Sequence, residues 1–443
     1  MSNSSSGKAT PSSPPNRKRH KRLRIFVVGF IVVSILFCGL MAIPIVSPAA
    51  GAAIADGLRS IIGPEAVAEI ESFQFKLQDT FNRARYQVSG GQAQITWADS
   101  SNTTPEAPKS ITVKPAASKA NSATKAAPTQ PTKPVPNQPT KVAPSQVITP
   151  TVTQAAPVVQ ADPAVDVISA PSPVGGWQPF GTLINNQPVM ARAVVKPDPG
   201  RPYAQAAVVR IDLSQVDLHA VAGTVEPVAV KGAPALKRTG IITPGDQSPD
   251  SLLAAFNGGF KSVHGGYGVM VDGVTLRPPM DNMATLALFK DGSVQLGAWG
   301  RDFTSTDNMI AFRQNCPLLL DAGVINPNVN DESRKEWGYT VKNLDTTWRS
   351  GVGLSQDGRF LIYAAGNSLT VQSLAEALRQ AGAYNAMQLD INGFYTRFVT
   401  YQDNPKASGY PVIASKLLNE MSGDPAMFLH PYDRDFFYVT VKS

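Results

Sequence analysis

The chain has 443 residues and a formal net charge of +7, and that charge is unevenly placed. Residues 1–173 hold 17 Lys and Arg against 9 Asp and Glu, whereas residues 174–443 hold 23 against 24. The basic balance therefore belongs to the N-terminal third and gives no ground for nucleic-acid binding by the rest. Only two cysteines occur, Cys38 in an apolar run and Cys316 in the C-terminal part, which excludes a disulfide-stapled fold.

Arg17, Lys18, Arg19, Lys21, Arg22 and Arg24 crowd ahead of the uncharged run Ile25–Ile43. Its 19 residues suffice to cross the ~30 Å hydrocarbon layer as a helix. Basic residues before a span keep the N-terminus cytoplasmic. The expectation is a basic tail (1–24) and a transmembrane signal-anchor helix (25–46), with everything beyond it outside the cytoplasm, in a single-pass cell-membrane protein. The competing reading is a cleaved signal peptide, but the run is longer than the usual apolar region of ~7–15 residues.

A helical stalk is expected over 47–97. Ile54, Leu58, Ile61 and Ile62, then Val67, Ile70, Phe73, Leu77 and Phe81, recur at helical spacing, and Gly63-Pro64 divides them into two helices. Such a stalk would lie on the membrane or self-associate. Residues 98–173 are rich in Pro, Thr, Ala and Lys and poor in aromatics. They bury too little apolar surface to offset chain entropy, and read as a disordered, extended linker.

From residue 174 the pattern changes to short strands with turn signals. Ala206–Ile211 and Val216–Val221 bracket a polar turn. Asp272-Gly273, Asp291-Gly292 and Asp357-Gly358 each sit between short apolar segments, the signature of tight hairpins. Leu252–Phe256 reads as a buried strand and Phe436–Val441 as a terminal one. Thr370 caps a helix over Val371–Ala381, which Gly382 stops. The fold class expected is α+β: a strand-dominated mixed domain with few helices, preceded by one transmembrane helix, a helical stalk and a disordered linker.

Three stretches carry chemistry. The first is Phe256-Asn257-Gly258-Gly259-Phe260, followed by His264-Gly265-Gly266. Its glycines let backbone N–H groups approach a ligand, and successive N–H groups can form an anion nest. The second is Trp348-Arg349-Ser350-Gly351-Val352-Gly353, where Arg349 enters an apolar strand and calls for an anionic partner, either a ligand or a structural Asp of the protein. The third is Gln388-Leu389-Asp390-Ile391-Asn392-Gly393, with Asp390 at a strand end beside a polar turn. Asp321 in Leu318-Leu319-Leu320-Asp321 repeats that arrangement. No HExxH, GxSxG, Walker loop or Cys/His cluster occurs, which argues against a zinc hydrolase, an esterase and an NTPase. No motif calls for a cofactor; calcium on Asp and Asn oxygens is left open, without a loop signature.

Taken in order, the Asn-Gly-Gly-Phe turn, the Pro317–Gly323 segment, the Arg-Ser-Gly-Val-Gly strand, the Leu374–Ala383 helix region and the strand ending at Asp390 resemble the phosphodiester glycosidase family over roughly 252–398. The resemblance implies hydrolysis of a sugar-1-phosphodiester at its glycosidic bond, with an envelope or extracellular glycan as partner. It assigns Asp390 as the reacting carboxylate, His264 as an acid or orienting group and Arg349 as a phosphate ligand. Asn257, Gly258, Gly259, Phe260, Asp321, Asn392, Gly393 and Thr396 would contact substrate. One departure stands out. The family's Asp-Gly-Gly-Gly-Ser-Ser is here Asp390-Ile391-Asn392-Gly393-Phe394-Tyr395-Thr396, which offers two rings for sugar stacking. Two other readings follow from the same residues: a catalytically silent polysaccharide-binding domain of this fold, and a structural envelope protein.

Overall fold

The structure, a computed structural model, describes residues 57–91, 95–98, 110–111, 173–333, 335–338, 342–404 and 409–442. The basic tail, the transmembrane helix expected over 25–46 and nearly all of the 98–173 linker lie outside the described residues. Among the described residues no helix is long and apolar enough to cross a membrane.

Strands dominate, as the turn pattern predicts. The elements that matter for the site are β1 (Leu252–Asn257), β2 (Met309–Gln314), β3 (Leu318–Asp321), β4 (Thr347–Leu354), β5 (Phe360–Leu369), β6 (Asn385–Gln388), β7 (Phe398–Asp403) and β8 (Phe436–Val441). The helices are α1 (Pro64–Val88), following a helical stretch over 57–62, and α2 (Val371–Gln380).

An eight-stranded sheet runs Val324–Ile325, β3, β6, β4, β5, Ala206–Asp212, Met190–Val195, Val174–Pro179. One five-stranded sheet contains Val274–Arg277, Val269–Val271, β2, Ala284–Phe289 and Val294–Ala298. The other contains Val412–Lys416, β7, β1, β8 and Val216–Val221. The strands Ala206–Asp212 and Val216–Val221, adjacent in sequence, therefore enter different sheets. One face of the large sheet shares a core with both smaller sheets through Val209, Val352, Tyr363, Met387, Phe256, Leu286 and Phe437. Its other face is covered by α2, whose Leu374 and Leu378 pack on Val208, Ile362 and Ala386. Gly351 and Gly353 permit that approach: a Cβ on Gly351 would lie 3.0 Å from the Leu378 side chain, and one on Gly353 2.6 Å from Ala383. The Thr370 hydroxyl accepts from the Ser373 N–H while the Ser373 hydroxyl accepts from the Thr370 N–H, a reciprocal cap that fixes where α2 starts.

Gly63 takes a positive φ of 86° and Pro64 opens α1, so the chain bends where Gly-Pro predicts. One side of α1 lies on the domain. Ser72 donates to Asp345 at 2.5 Å, Asn82 to Ser368 at 2.9 Å, and Tyr203 donates to Asp79 at 2.7 Å.

Candidate active site

Four strand ends from three sheets meet at one place, and the strand register explains why. β8 runs antiparallel to β1 with Phe436 opposite Asn257, so Arg434 and Asp435 come alongside Gly258 and Gly259. β2 brings Arg313 and, just past its end, Asn315. β6 ends at Gln388 and delivers Asp390, whose N–H donates to the Gly258 carbonyl at 3.1 Å.

The glycine turn is closed by protein groups. The Gly258 N–H donates to the Asp435 carbonyl at 3.0 Å, the Gly259 N–H to Asp435 Oδ2 at 3.2 Å and the Phe260 N–H to Asn315 Oδ1 at 3.1 Å. The anion nest expected here is therefore filled from within by a carboxylate, and these three N–H groups do not face a ligand. Glycine is nevertheless required. A Cβ on Gly258 would stand 2.0 Å from Asp435 Oδ2, and one on Gly259 2.8 Å from Arg313 Cζ.

Four charged side chains gather around the turn, each less than a tenth exposed. Arg434 Nη2 donates to Asp390 Oδ2 at 2.6 Å and to the Gly259 carbonyl at 2.9 Å. Arg313 donates through Nε to Asp435 Oδ2 at 2.8 Å, through Nη1 to the Gln314 carbonyl at 2.7 Å and through Nη2 to the Phe260 carbonyl at 2.6 Å. Burial alone would push the Arg434 guanidinium down, but the Asp390 and Asp435 carboxylates outweigh it and hold it above its ordinary value. Asp435 Oδ1 and Arg434 Nε are buried without a hydrogen-bond partner among the described residues. The buried Arg434 guanidinium lies 4.2 Å over the Tyr395 ring, and at the rim the Lys261 ammonium lies 5.6 Å from the same ring. Arg238 sits at the edge of the same field. Burial lowers it, while Glu226 and Asp435 pull it back up. This is a carboxylate held by a cation inside a partly positive rim, an arrangement suited to an anionic substrate.

Asp390 and the Gly258–Gly259 turn are brought together. The Asp390 carboxylate also accepts the Asn392 N–H at 2.9 Å, and its carbonyl accepts from Ser350 at 2.7 Å and Thr396 at 3.2 Å. Asn257 is beside them but committed. Its amide donates to the Gly258 carbonyl and Ser350 and accepts from Tyr363 and the Arg397 N–H, which leaves no bond for a substrate. Thr396 is fully buried, and Phe260 lies in the apolar core under α2. Asn392 is exposed and Gly393 packs on Trp348, where a Cβ would be 2.5 Å from its ring. His264 lies part-buried in the loop after Phe260, its N–H on the Lys261 carbonyl at 2.8 Å. One face of Tyr395 carries Arg434, so that face is not a sugar platform.

Arg349 and Asp321 lie away from the turn. Arg349 is fully buried on the α2 side of the large sheet, where its hydrogen bonds go to neutral protein acceptors. Its donors go to the Leu369 carbonyl at 2.9 Å, Gln388 Oε1 at 3.0 Å and the Asp345 carbonyl at 3.2 Å. Burial pushes it down to about 10, which leaves it charged at neutral pH. Asp321 is at the wrong end of the sheet. β3 pairs antiparallel with β6, Leu320 beside Ala386, so Asp321 lies where β6 begins and Asp390 beyond where it ends. There Asp321 takes a bidentate, surface-exposed pair from Arg301 at 2.5 and 2.9 Å.

Arg313, Asn315, Arg434 and Asp435 were not anticipated. A signal existed for Arg313, an arginine inside an apolar strand, the same pattern that singled out Arg349. Arg434-Asp435 carries only its position just before the terminal strand. Cys316 is no nucleophile: burial pushes its thiol up to about 12. Among the described residues no group of three or more His, Cys, Asp or Glu side chains is placed to hold a metal ion.

Residues 250–409 match the family model for phosphodiester glycosidase. Arg434 and Asp435 come from outside the matched span. Among solved structures, the chain is similar to the catalytic domain of zebrafish N-acetylglucosamine-1-phosphodiester alpha-N-acetylglucosaminidase, auto-inhibited by its pro-peptide. The identity is 18%, over 58% of this chain and 85% of that one, with a TM-score of 0.37. A hypothetical protein from Synechocystis aligns at 12% identity over 60% of this chain and 64% of that one, TM-score 0.31. A putative exported protein from Burkholderia pseudomallei aligns at 10% identity over 54% and 74%, TM-score 0.30. No curated protein is similar enough in sequence to stand as a relative.

Proposed function

We propose that the protein is a membrane-tethered hydrolase, facing away from the cytoplasm, that cleaves the glycosidic bond of sugar-1-phosphodiesters in envelope or extracellular glycans. The match of residues 250–409 to the phosphodiester glycosidase family model supports the glycosidase class, and the buried Asp390–Arg434 pair at the Gly258–Gly259 turn is the observation that carries this reading. The basic tail and the apolar run Ile25–Ile43 support the tether.

In this reading the Asp390 carboxylate takes a proton from the attacking water as the water oxygen bonds to the anomeric carbon. The bond from that carbon to the phosphate oxygen breaks, and its electron pair leaves with the phosphomonoester. A phosphomonoester's second pKa is about 6, so it departs without a strong general acid. What the site must supply instead is positive charge for the phosphate: Lys261 and Arg238 supply it at the rim, with the field of the buried Arg434 behind them. Both Asp390 oxygens already accept one bond, and each keeps a lone pair for the water.

The test is release of free sugar and phosphomonoester from α-N-acetylglucosamine-1-phosphodiester and a panel of other sugar-1-phosphodiesters. Turnover that disappears in a folded Asp390→Asn protein is the expected result. Glycan binding that survives in Asp390→Asn, with no turnover of any substrate by the parent, would replace this reading with a binding domain.

A further inference from the structure

Helix α1 has two faces, and only one of them is on the domain. Ser72, Asp79, Asn82 and Tyr86 point toward it, the last with its ring 6.1 Å from that of Tyr203. At about 100° per residue, Phe73, Leu77, Phe81 and Val88 fall within ~80° of arc on the opposite side. They are 53, 54, 68 and 90% exposed. The four form one continuous apolar stripe that faces away from the domain.

We propose that this stripe rests on the surface of the membrane in which the chain is anchored, so that α1 is an interfacial helix holding the domain in a fixed attitude to the lipid. The inference rests on the membrane anchor of the proposed function. Three observations favour lipid over a second copy. Thirteen residues separate Ile43 from residue 57, a reach of at most about 50 Å, and the helical stretch 57–62 with Gly63 adds about 15 Å, so α1 begins within about 65 Å of the bilayer. The stripe from Phe73 to Val88 is about 24 Å long and one side chain wide, roughly 240 Å², well short of the ~800 Å² per partner that a stable dimer buries. Lys76 and Arg85 are exposed on its two flanks, while the one acid of this stretch, Asp79, is turned to the domain and bonded to Tyr203. Flanking cations around an apolar face suit an anionic headgroup layer, with the face sunk ~5–10 Å.

The experiment uses the full chain reconstituted in vesicles of phosphatidylglycerol and phosphatidylcholine. The photo-crosslinker p-benzoylphenylalanine replaces Leu77 or, as a control, Asp357 at an exposed hairpin turn. The expected result is lipid adduct at position 77, at least fivefold above position 357. Adducts joining two chains, adducts to another part of the same chain, or no lipid adduct overturn the proposal. Alkaline carbonate separates this from the anchor. A chain that resists extraction but gives no lipid adduct at 77 refutes the helix and leaves the anchor. A chain that is extracted loses the anchor, and the extracted chain is then floated with the same vesicles. Flotation that is lost in the Phe73→Ser, Leu77→Ser, Phe81→Ser triple variant, itself folded by its unfolding midpoint, sustains the interfacial helix; absence of flotation, or flotation unchanged by those substitutions, refutes it.

Discussion

Replacing Arg434 by methionine keeps the aliphatic stem over Tyr395 and removes the cation from Asp390. The pair is 2.6 Å apart with side chains 4 and 7% exposed, so water does little to replace the lost partner. Two unit charges 4 Å apart attract by ~4 kcal/mol at an effective dielectric constant of ~20, and breaking a buried pair on one side typically costs ~3–5 kcal/mol. The Gly259 carbonyl also loses its donor. In a domain of this size a loss of ~3 kcal/mol lowers Tm by about 5 °C. Asp390→Asn alone should cost less, ~1–3 kcal/mol, because Arg434 keeps the Gly259 carbonyl and the field of Asp435. The double variant has no unpaired charge and should fall short of the summed losses by at least ~2 kcal/mol. Near-UV circular dichroism of the full chain in mild detergent gives the four midpoints. Sugar release is measured on the same preparations, with kcat/KM expected to fall about 100-fold in Arg434→Met. Losses that add to within ~0.5 kcal/mol would show that Arg434 and Asp390 do not act as a unit, and the proposed site would lose its central feature.

Arg349→Met should destabilise by ~2–4 kcal/mol, because three buried acceptors lose their donor, yet sugar release per folded molecule should stay within about threefold of the parent. A loss of activity out of proportion to unfolding would return Arg349 to the site. Gly258→Ala should cost at least ~1–3 kcal/mol and most of the activity, since Asp435 is held by Arg313 and cannot give way. Gly245→Ala, with open space at its Cβ, should stay within ~0.5 kcal/mol in the same melting assay. Asp212 tests acid stability. Its burial opposes ionisation, but hydrogen bonds from Arg359, Ser214 and Gln215 outweigh that and hold the carboxyl well below the usual range. A depressed folded pKa gives stability that is present above the unfolded pKa of about 4 and lost as pH falls through the folded value. The Tm gap between parent and Asp212→Asn, followed by calorimetry, should therefore be widest near neutral pH and narrow in acid; a gap constant with pH would remove this role.

The hairpins and α2 were legible because their signals are local. Asp272-Gly273 takes the positive φ of both turn positions, 51 and 73°, and Thr370 and Ser373 cap each other within four residues. The glycine turn and Asp390 were legible for the same reason, each being a break at the end of an apolar strand. What closes the turn was not. Asp435 lies far downstream and reaches Gly258 only because β8 pairs with β1, and nothing in either strand names its neighbour. Arg349 shows a second limit, one of phase. On β4 the side chains alternate: Ser350 bonds the Asp390 carbonyl and Asn257 on the site side, while Arg349 and Gly351 face Gln388 and α2. A strand buried on both faces is apolar in every position, so its sequence does not say which parity meets the site. Arg349 stands one residue out of phase with Ser350. The arginine that meets Asp390 comes instead from the loop before β8, where the chain turns in beside Gly259 and no strand parity constrains it.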